Sequence, residues 1–277
     1  MEPNVGTRWQ LIGGNAAETY HRLLVPGMFA PLAPRLVDLS GIEPGDHVLD
    51  VACGTGVVSR VAAERVGSSG RVVGLDFSPA MIAVARELPQ SVGVAIEWLE
   101  ANALAMPLPD NSFDVVLCQH GLQQIPDRVA ALREIRRVLK PGGQFAACVW
   151  SRIESNPGMN ALVDALGRNV SPEAANYRRA PFALSDPDHL HSLVVEAGFV
   201  DVQIQTLTEI AGFVTSDELV DGQLRATPLS TTTAGVISDD VRDAIANDVR
   251  AALERYHDGE KLKLPIQAHF VHARAGI

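Results

Sequence analysis

The chain has 277 residues, 47% of them hydrophobic, enough for one large α/β domain or two small ones around a sizeable core. A net charge of −10 argues against nucleic acid as the main partner, since phosphate binding needs clustered Lys and Arg. No run approaches the roughly 20 apolar residues of a membrane helix, and the opening MEPNVGTRWQLIGG lacks the basic-then-apolar order of a secretory signal. A cytoplasmic protein without integral membrane contact is expected.

From Gly45 to Trp150 apolar strands alternate with helical patterns, which predicts a parallel sheet with crossover helices. HVLDVA is the first strand and Val57–Val66 its helix. RVVGLD (Arg71–Asp76) is the second, followed by Ser78 as N-cap and Pro79 at the first position of a helix reaching about Glu87. Ala95–Asn102 and Phe113–Gln119 read as the third and fourth strands, Val129–Leu139 as a helix stopped by Pro141-Gly142-Gly143, and Gln144–Trp150 as the fifth strand. Two helical pieces are expected around Ala161–Leu166 and Pro172–Tyr177, then a helix at Pro187–Ala197 and a sixth, alternating strand at Val200–Ile210. Thr215 with Glu218 resembles a capping box, Ser238 caps a helix near Asp239–Tyr256, and Leu264–Ala275 closes the chain as a strand.

The cysteines, Cys53, Cys118 and Cys148, are far apart and sit in apolar runs, so they read as core residues rather than as a disulfide framework or zinc site. Arg133, Arg136, Arg137 and Lys140 fit one side of a helix and read as a solvated face.

The chemistry concentrates after the first strand, at Ala52-Cys53-Gly54-Thr55-Gly56. Glycines there let backbone approach a ligand at the carboxyl edge of the sheet. Asp76, 20 residues beyond Gly56, ends the next strand, where a carboxylate can accept both hydroxyls of a ribose. These features alone suit a dinucleotide as well, although Ser59 stands where the third glycine of that fingerprint would be. Asp50, just before the loop, separates the two. Its charge is unwelcome beside pyrophosphate but suits a ligand bearing an ammonium and a sulfonium. Asn102 and Ala103, after the third strand, can meet an adenine edge. Together they point to S-adenosylmethionine.

VLDVACGTG, VVGLDFSPAMIAVAR, LPDNSFDVVLCQHGLQQIPD and EIRRVLKPGG, in this order over about 105 residues, resemble the core of class I S-adenosylmethionine-dependent methyltransferases. The likeness is greatest to the small-molecule group that includes the ubiquinone and menaquinone C-methyltransferases. It implies a Rossmann-like, seven-stranded, mostly parallel sheet with an antiparallel last strand, helices on both faces and a helical lid. It further implies that Asp50, Ala52, Gly54 and Gly56 border the methionine part and Asp76 holds the ribose. Phe77 and Met81 would pack on adenine, Asn102 and Ala103 would meet its edge, and Gln119 would lie near the donor. Ala52 replaces a more usual glycine and Asn102 a more usual aspartate, so the adenine contact would use the amide oxygen. No Asn-Pro-Pro-Tyr type sequence follows the fourth strand, which argues against adenine or glutamine N-methylation, and the acidic cluster of metal-dependent catechol O-methyltransferases is absent, so no metal is expected.

His120, at the end of the fourth strand, is a candidate base, and Tyr20 a candidate catalytic residue; both equally suit packing. Tyr20 and its neighbour His21 lie in an N-terminal helical segment (1–44) that would cover the site. The core is then 45–150, a lid insertion 151–186, and the C-terminal part of the sheet 187–277, with a helical insertion at 215–259. Within it Gly222, Pro228, Ser230-Thr231-Thr232-Thr233 and Gly235 predict a mobile lid. The expected activity is methyl transfer to a small, fairly apolar, quinone- or natural-product-like acceptor, on carbon or oxygen. A nicotinamide-dependent oxidoreductase and a non-catalytic S-adenosylmethionine-binding protein remain as other readings. Nothing in the sequence excludes a homo-oligomer.

Overall fold

Continuous apolar runs build the centre of the molecule. In the computed structural model, which describes residues 13–89, 94–213, 215–226 and 237–276, the strands β1 (His47–Val51), β2 (Arg71–Asp76), β3 (Ile96–Glu100), β4 (Phe113–Gln119) and β5 (Leu139–Trp150) lie parallel. β6 (Phe199–Phe213) and β7 (Leu262–Ala275) complete a seven-stranded sheet of order 3-2-1-4-5-7-6. β7 enters between β5 and β6 and runs antiparallel to both, as the resemblance implied. Strand order reverses between β1 and β4, and the carboxyl ends there border the crevice in which open α/β sheets hold ligands.

Alternation along the strands gives the sheet two apolar faces. Val48, Val72, Val115 and Leu117 pack toward one core, Leu49, Val73, Val116 and Phe145 toward the other, all fully or almost fully buried. The helices that cover these faces are, in chain order, α1 (Gly14–Thr19), α2 (Ala33–Leu39), α3 (Val57–Val66), α4 (Pro79–Glu87), α5 (Arg128–Val138), α6 (Pro157–Asn169), α7 (Pro172–Arg179), α8 (Pro187–Glu196), α9 (Ser216–Arg225) and α10 (Asp239–Leu253). Their starts follow local chemistry. The side chains of Ser78, Asp127, Ser171, Asp186, Thr215 and Ser238 each accept a backbone N–H from the first turn.

Three features depart from expectation. β5 begins at Leu139 rather than Gln144. Leu139 lies opposite Phe113 and Gln144 opposite Val115, so Lys140–Gly143 bulge out, with Gly142 at φ +75° taking the left-handed turn. α6 is one helix twice as long as the piece expected, because Pro157 starts it early. Between α1 and α2, Tyr20–Phe29 forms a π-helix; it contains Pro26, which has no N–H to donate, and ends with Ala30 N–H donating to Val25 O at 2.8 Å. Residues 227–236, which carry Pro228, the Ser-Thr-Thr-Thr run and Gly235, lie outside the described residues, as does the stretch before residue 13. Among the described residues no helix is long and apolar enough to cross a membrane.

Candidate functional site

The glycine loop follows β1 and is fastened from three sides. Gly54 N–H donates to Asp76 Oδ2 at 2.8 Å, and Ser78 N–H donates to Asp76 Oδ1 at 2.8 Å. Arg60 on α3 donates to the carbonyls of Thr55 (2.7 Å) and Gly56 (3.0 Å). His21 Nδ1 lies 3.0 Å from Thr55 Oγ1. Asp76 thus sits at the end of β2 with Gly54 on one oxygen and Ser78 on the other, and its carboxylate keeps acceptor capacity toward the cavity. Burial raises its pKa, against backbone hydrogen bonds from Ser78, Gly54 and Phe77.

A cavity of about 220 Å³ opens over this loop. Ala52, Gly54, Asp76, Phe77, Met81, Asn102, Ala103, Gln119, Tyr20 and His120 all line it. Asp50 and Gly56 do not. Asp50 is buried behind the loop, where Ser59 Oγ donates to Oδ2 at 2.6 Å and Oδ1 has no partner. Burial pushes its pKa up to about 7. Gly56 opens α3 at φ +85°, and a Cβ there would stand 2.1 Å from the Trp98 ring, so packing and backbone geometry require this glycine.

The lining residues differ in how free they are. Asn102 Oδ1 accepts from Leu104 N–H at 2.9 Å, so the amide oxygen expected to meet adenine already serves a turn. Gln119 Nε2 donates to Phe29 O at 2.9 Å, whereas its enclosed Oε1 has no partner. Met81 packs against Ala17 and Val84 and also lines the cavity. Tyr20 stands beside Gly54, and burial, then the Asp76 charge, raises its pKa.

His120 stands in a different environment from that of a free base. Its ring stacks on Trp150 at 3.8 Å and 17°, with Phe29 edge-on at 5.7 Å. Nε2 lies 3.7 Å from Cys148 Sγ, Nδ1 has no hydrogen-bond partner, and burial drives the pKa down to about 3. Ala52 (φ +57°) and His120 (φ +56°) are both non-glycine residues in the left-handed region, and both line the cavity. Strain of this kind collects at ligand sites.

Sequence reading missed the other end of the cavity, formed by Leu24, Met28, Phe29, Trp150, Met159, Phe182, Arg178 and Gln223. These come from the π-helix, β5, α6, α7, the turn after α7, and α9, and no local pattern links them. Of the remaining histidines, His269 faces Thr206 Oγ1 and Ser185 O, and His272 faces Gln144 Oε1, which are structural positions. All three cysteines are free and buried. The basic side of α5 is tied to carboxylates, Arg137 to Glu134 and Asp110, with Lys140 just beyond on Asp114. Among the described residues no three His, Cys, Asp or Glu converge as metal ligands.

The ubiE/COQ5 methyltransferase family profile matches residues 33–217. The ubiquinone/menaquinone biosynthesis C-methyltransferase UbiE of Cronobacter sakazakii is 34% identical over 185 residues, 62% of this chain and 73% of that protein. The demethylmenaquinone methyltransferase of Listeria welshimeri is 43% identical over 135 residues, 48% of this chain and 57% of that one, so the match there spans little more than half of the relative. Among solved structures, phosphoethanolamine N-methyltransferase 2 of Haemonchus contortus, bound to S-adenosylhomocysteine, shares the fold with TM-score 0.60 at 19% identity, over 95% of this chain and 58% of that one. Nothing in these matches supports a nicotinamide-dependent oxidoreductase. The chain belongs to the ubiE/COQ5 methyltransferase family, enzymes whose methyl donor is S-adenosylmethionine.

Proposed function

We propose that the cavity holds the methyl donor at its Asp76 end and a small, apolar, quinol-like acceptor at its Trp150 end. The observation that carries this is one continuous chamber joining a carboxylate cradle over a glycine loop to an aromatic pocket. The residues suit the donor. Asp76 retains acceptor capacity toward the ribose hydroxyls, Phe77 and Met81 offer apolar surface for adenine, and the unpartnered Gln119 Oε1 can accept an ammonium hydrogen. Asp50 is enclosed with one unpaired oxygen and its carboxyl is held near 7, so a sulfonium nearby would draw off its proton and be balanced by the resulting charge. Bound there, S-adenosylmethionine supplies an electrophilic methyl carbon. The protein's part is alignment of two partners with water excluded, because methyl transfer from a cation to an electron pair disperses charge rather than creating it.

The relatives, ubiquinone/menaquinone and demethylmenaquinone methyltransferases, favour a quinol acceptor, and the pocket favours it as well. Phe29 lies tilted against Trp150 at 6.2 Å and Phe182 near parallel to it at 6.1 Å, an aromatic wall suited to a flat ring. Residues 13–44 and 151–186 then act as cover for the acceptor, and the enzyme works in the cytoplasm. Calorimetry tests the donor half: S-adenosylmethionine and S-adenosylhomocysteine should bind with micromolar-range affinity and NADH should not. Tighter binding of NADH would end this reading.

A further inference from the structure

The acceptor end of the cavity holds one guanidinium among aromatic and aliphatic side chains. Arg178, in the last turn of α7, lines it together with Trp150, Phe182 and Met159. Its Nη2 donates to Gln223 Oε1, a neutral amide on α9. Its Nε is enclosed with no partner. Among the described residues no carboxylate pairs with it. The other titratable groups in the cavity are Tyr20, Asp76 and His120, with Tyr177 beside it on α7. Burial lowers its pKa only to about 10, so it is a cation at neutral pH. A buried charge without a counter-charge is costly and marks a place where a ligand completes the pairing.

We propose that Arg178 is the acceptor's anion receptor: the cavity selects an aromatic acceptor carrying an anionic oxygen, phenolate or carboxylate, and seats that oxygen on the Arg178 guanidinium. This deepens the reading above and rests on it. It also supplies what His120 cannot. A phenol with an ordinary pKa near 10 is un-ionised at neutral pH, and the His120 imidazole is too weak a base to take its proton. A guanidinium beside the hydroxyl favours the phenolate instead, with the proton released to water. The acceptor's electron pair then forms the bond to the methyl carbon, while the carbon–sulfur bond breaks and leaves its pair on sulfur. When carbon is the nucleophile, the ring afterwards loses its own hydrogen as a proton. The anion also separates the donor's sulfonium from the Arg178 charge, which would otherwise repel it.

The test uses the full chain and two pairs of probes, 4-nitrophenol against 4-nitroanisole and 4-nitrobenzoate against its methyl ester, with and without S-adenosylhomocysteine. At a pH where the phenol is ionised, at least one anion should bind tenfold or more tighter than its neutral partner. The absorbance of bound 4-nitrophenol should show its pKa lowered by about one unit. Arg178→Gln should abolish the preference and the shift, and Arg178→Lys should restore part of both. Preference for 4-nitrophenolate assigns the receptor to phenols, and preference for 4-nitrobenzoate to aryl carboxylates. Equal binding of both members of each pair by the natural chain overturns the proposal without any variant. So does a preference that Arg178→Gln leaves intact, whatever that variant does to the melting temperature. S-adenosylhomocysteine binding without an anion preference would refute the receptor alone, whereas failure to bind S-adenosylhomocysteine would refute the donor reading.

Discussion

Burial holds the Asp50 carboxyl near 7 against an ordinary 3.8, so between those values the folded chain keeps a proton that the unfolded chain has released. By linkage its contribution to stability falls as pH rises from about 4 to about 7. His120 behaves in the opposite sense. Held near 3 against 6.5, it stays neutral while the unfolded chain binds a proton, so stability falls as pH drops from 6.5 toward 3. The two slopes nearly cancel where they overlap. His120→Phe should therefore melt lower at pH 6 than at pH 4.5, and Asp50→Asn the reverse, by about 3 °C per pH unit at most. Melting curves in which both variants slope the same way would contradict this. The same depressed pKa predicts that His120→Ala lowers kcat less than threefold at neutral pH; a loss near 10²-fold that shrinks as pH rises would restore His120 as the base. Asp76 carries more. Asp76→Ala should weaken S-adenosylhomocysteine binding roughly tenfold to a hundredfold and, by stripping Gly54 N–H and Ser78 N–H of an acceptor, lower the melting temperature as well. Calorimetry that finds unchanged affinity would remove Asp76 from the site.

Among the elements, the join of β1 to α3 is the most constrained. Gly56→Ala would require a Cβ inside the Trp98 ring at φ +85°, so a loss of about 2 kcal/mol or more is expected, with a lower denaturant midpoint and unchanged slope. Trp98→Leu in the same chain should recover part of it, and a neutral Gly56→Ala would show the contact to be soft. This join was legible in the sequence because its signals are local: an apolar run, two glycines, and an acidic residue at the end of the next strand. The caps at Ser78, Thr215 and Ser238 were legible for the same reason. The β5 bulge was not, since Pro141-Gly142-Gly143 reads equally as a helix stop. The π-helix Tyr20–Phe29 was not either, because its wide turn has no period to read and Pro26 interrupts it. Arg178 stands in the run Tyr177-Arg178-Arg179, which reads as a solvated helix end; only the packing of α7 against α6 and the approach of Gln223 from α9 enclose it. The Asp76 end of the cavity was legible and the Trp150 end was not, because strand ends place the first and tertiary packing assembles the second.

Across the whole molecule, the cavity joins the sheet to elements far away in sequence. The π-helix touches α9 and β6, Gly222 of α9 lies against Leu24, and Gln223 bridges α7 to Met28. Filling the cavity should tie these parts together, so hydrogen exchange in 20–29 and 216–225 should slow when S-adenosylhomocysteine and an acceptor analogue are both present. Equal protection with and without ligands would leave these elements as fixed walls. One reaction tests methyl transfer most directly. The purified chain, incubated with methyl-labelled S-adenosylmethionine and a naphthohydroquinone that lacks a ring methyl, should move the label onto the acceptor in equal amount with S-adenosylhomocysteine formed, and Asp76→Ala should lose most of that rate. Label that stays on the donor, or a rate indifferent to Asp76, would contradict it.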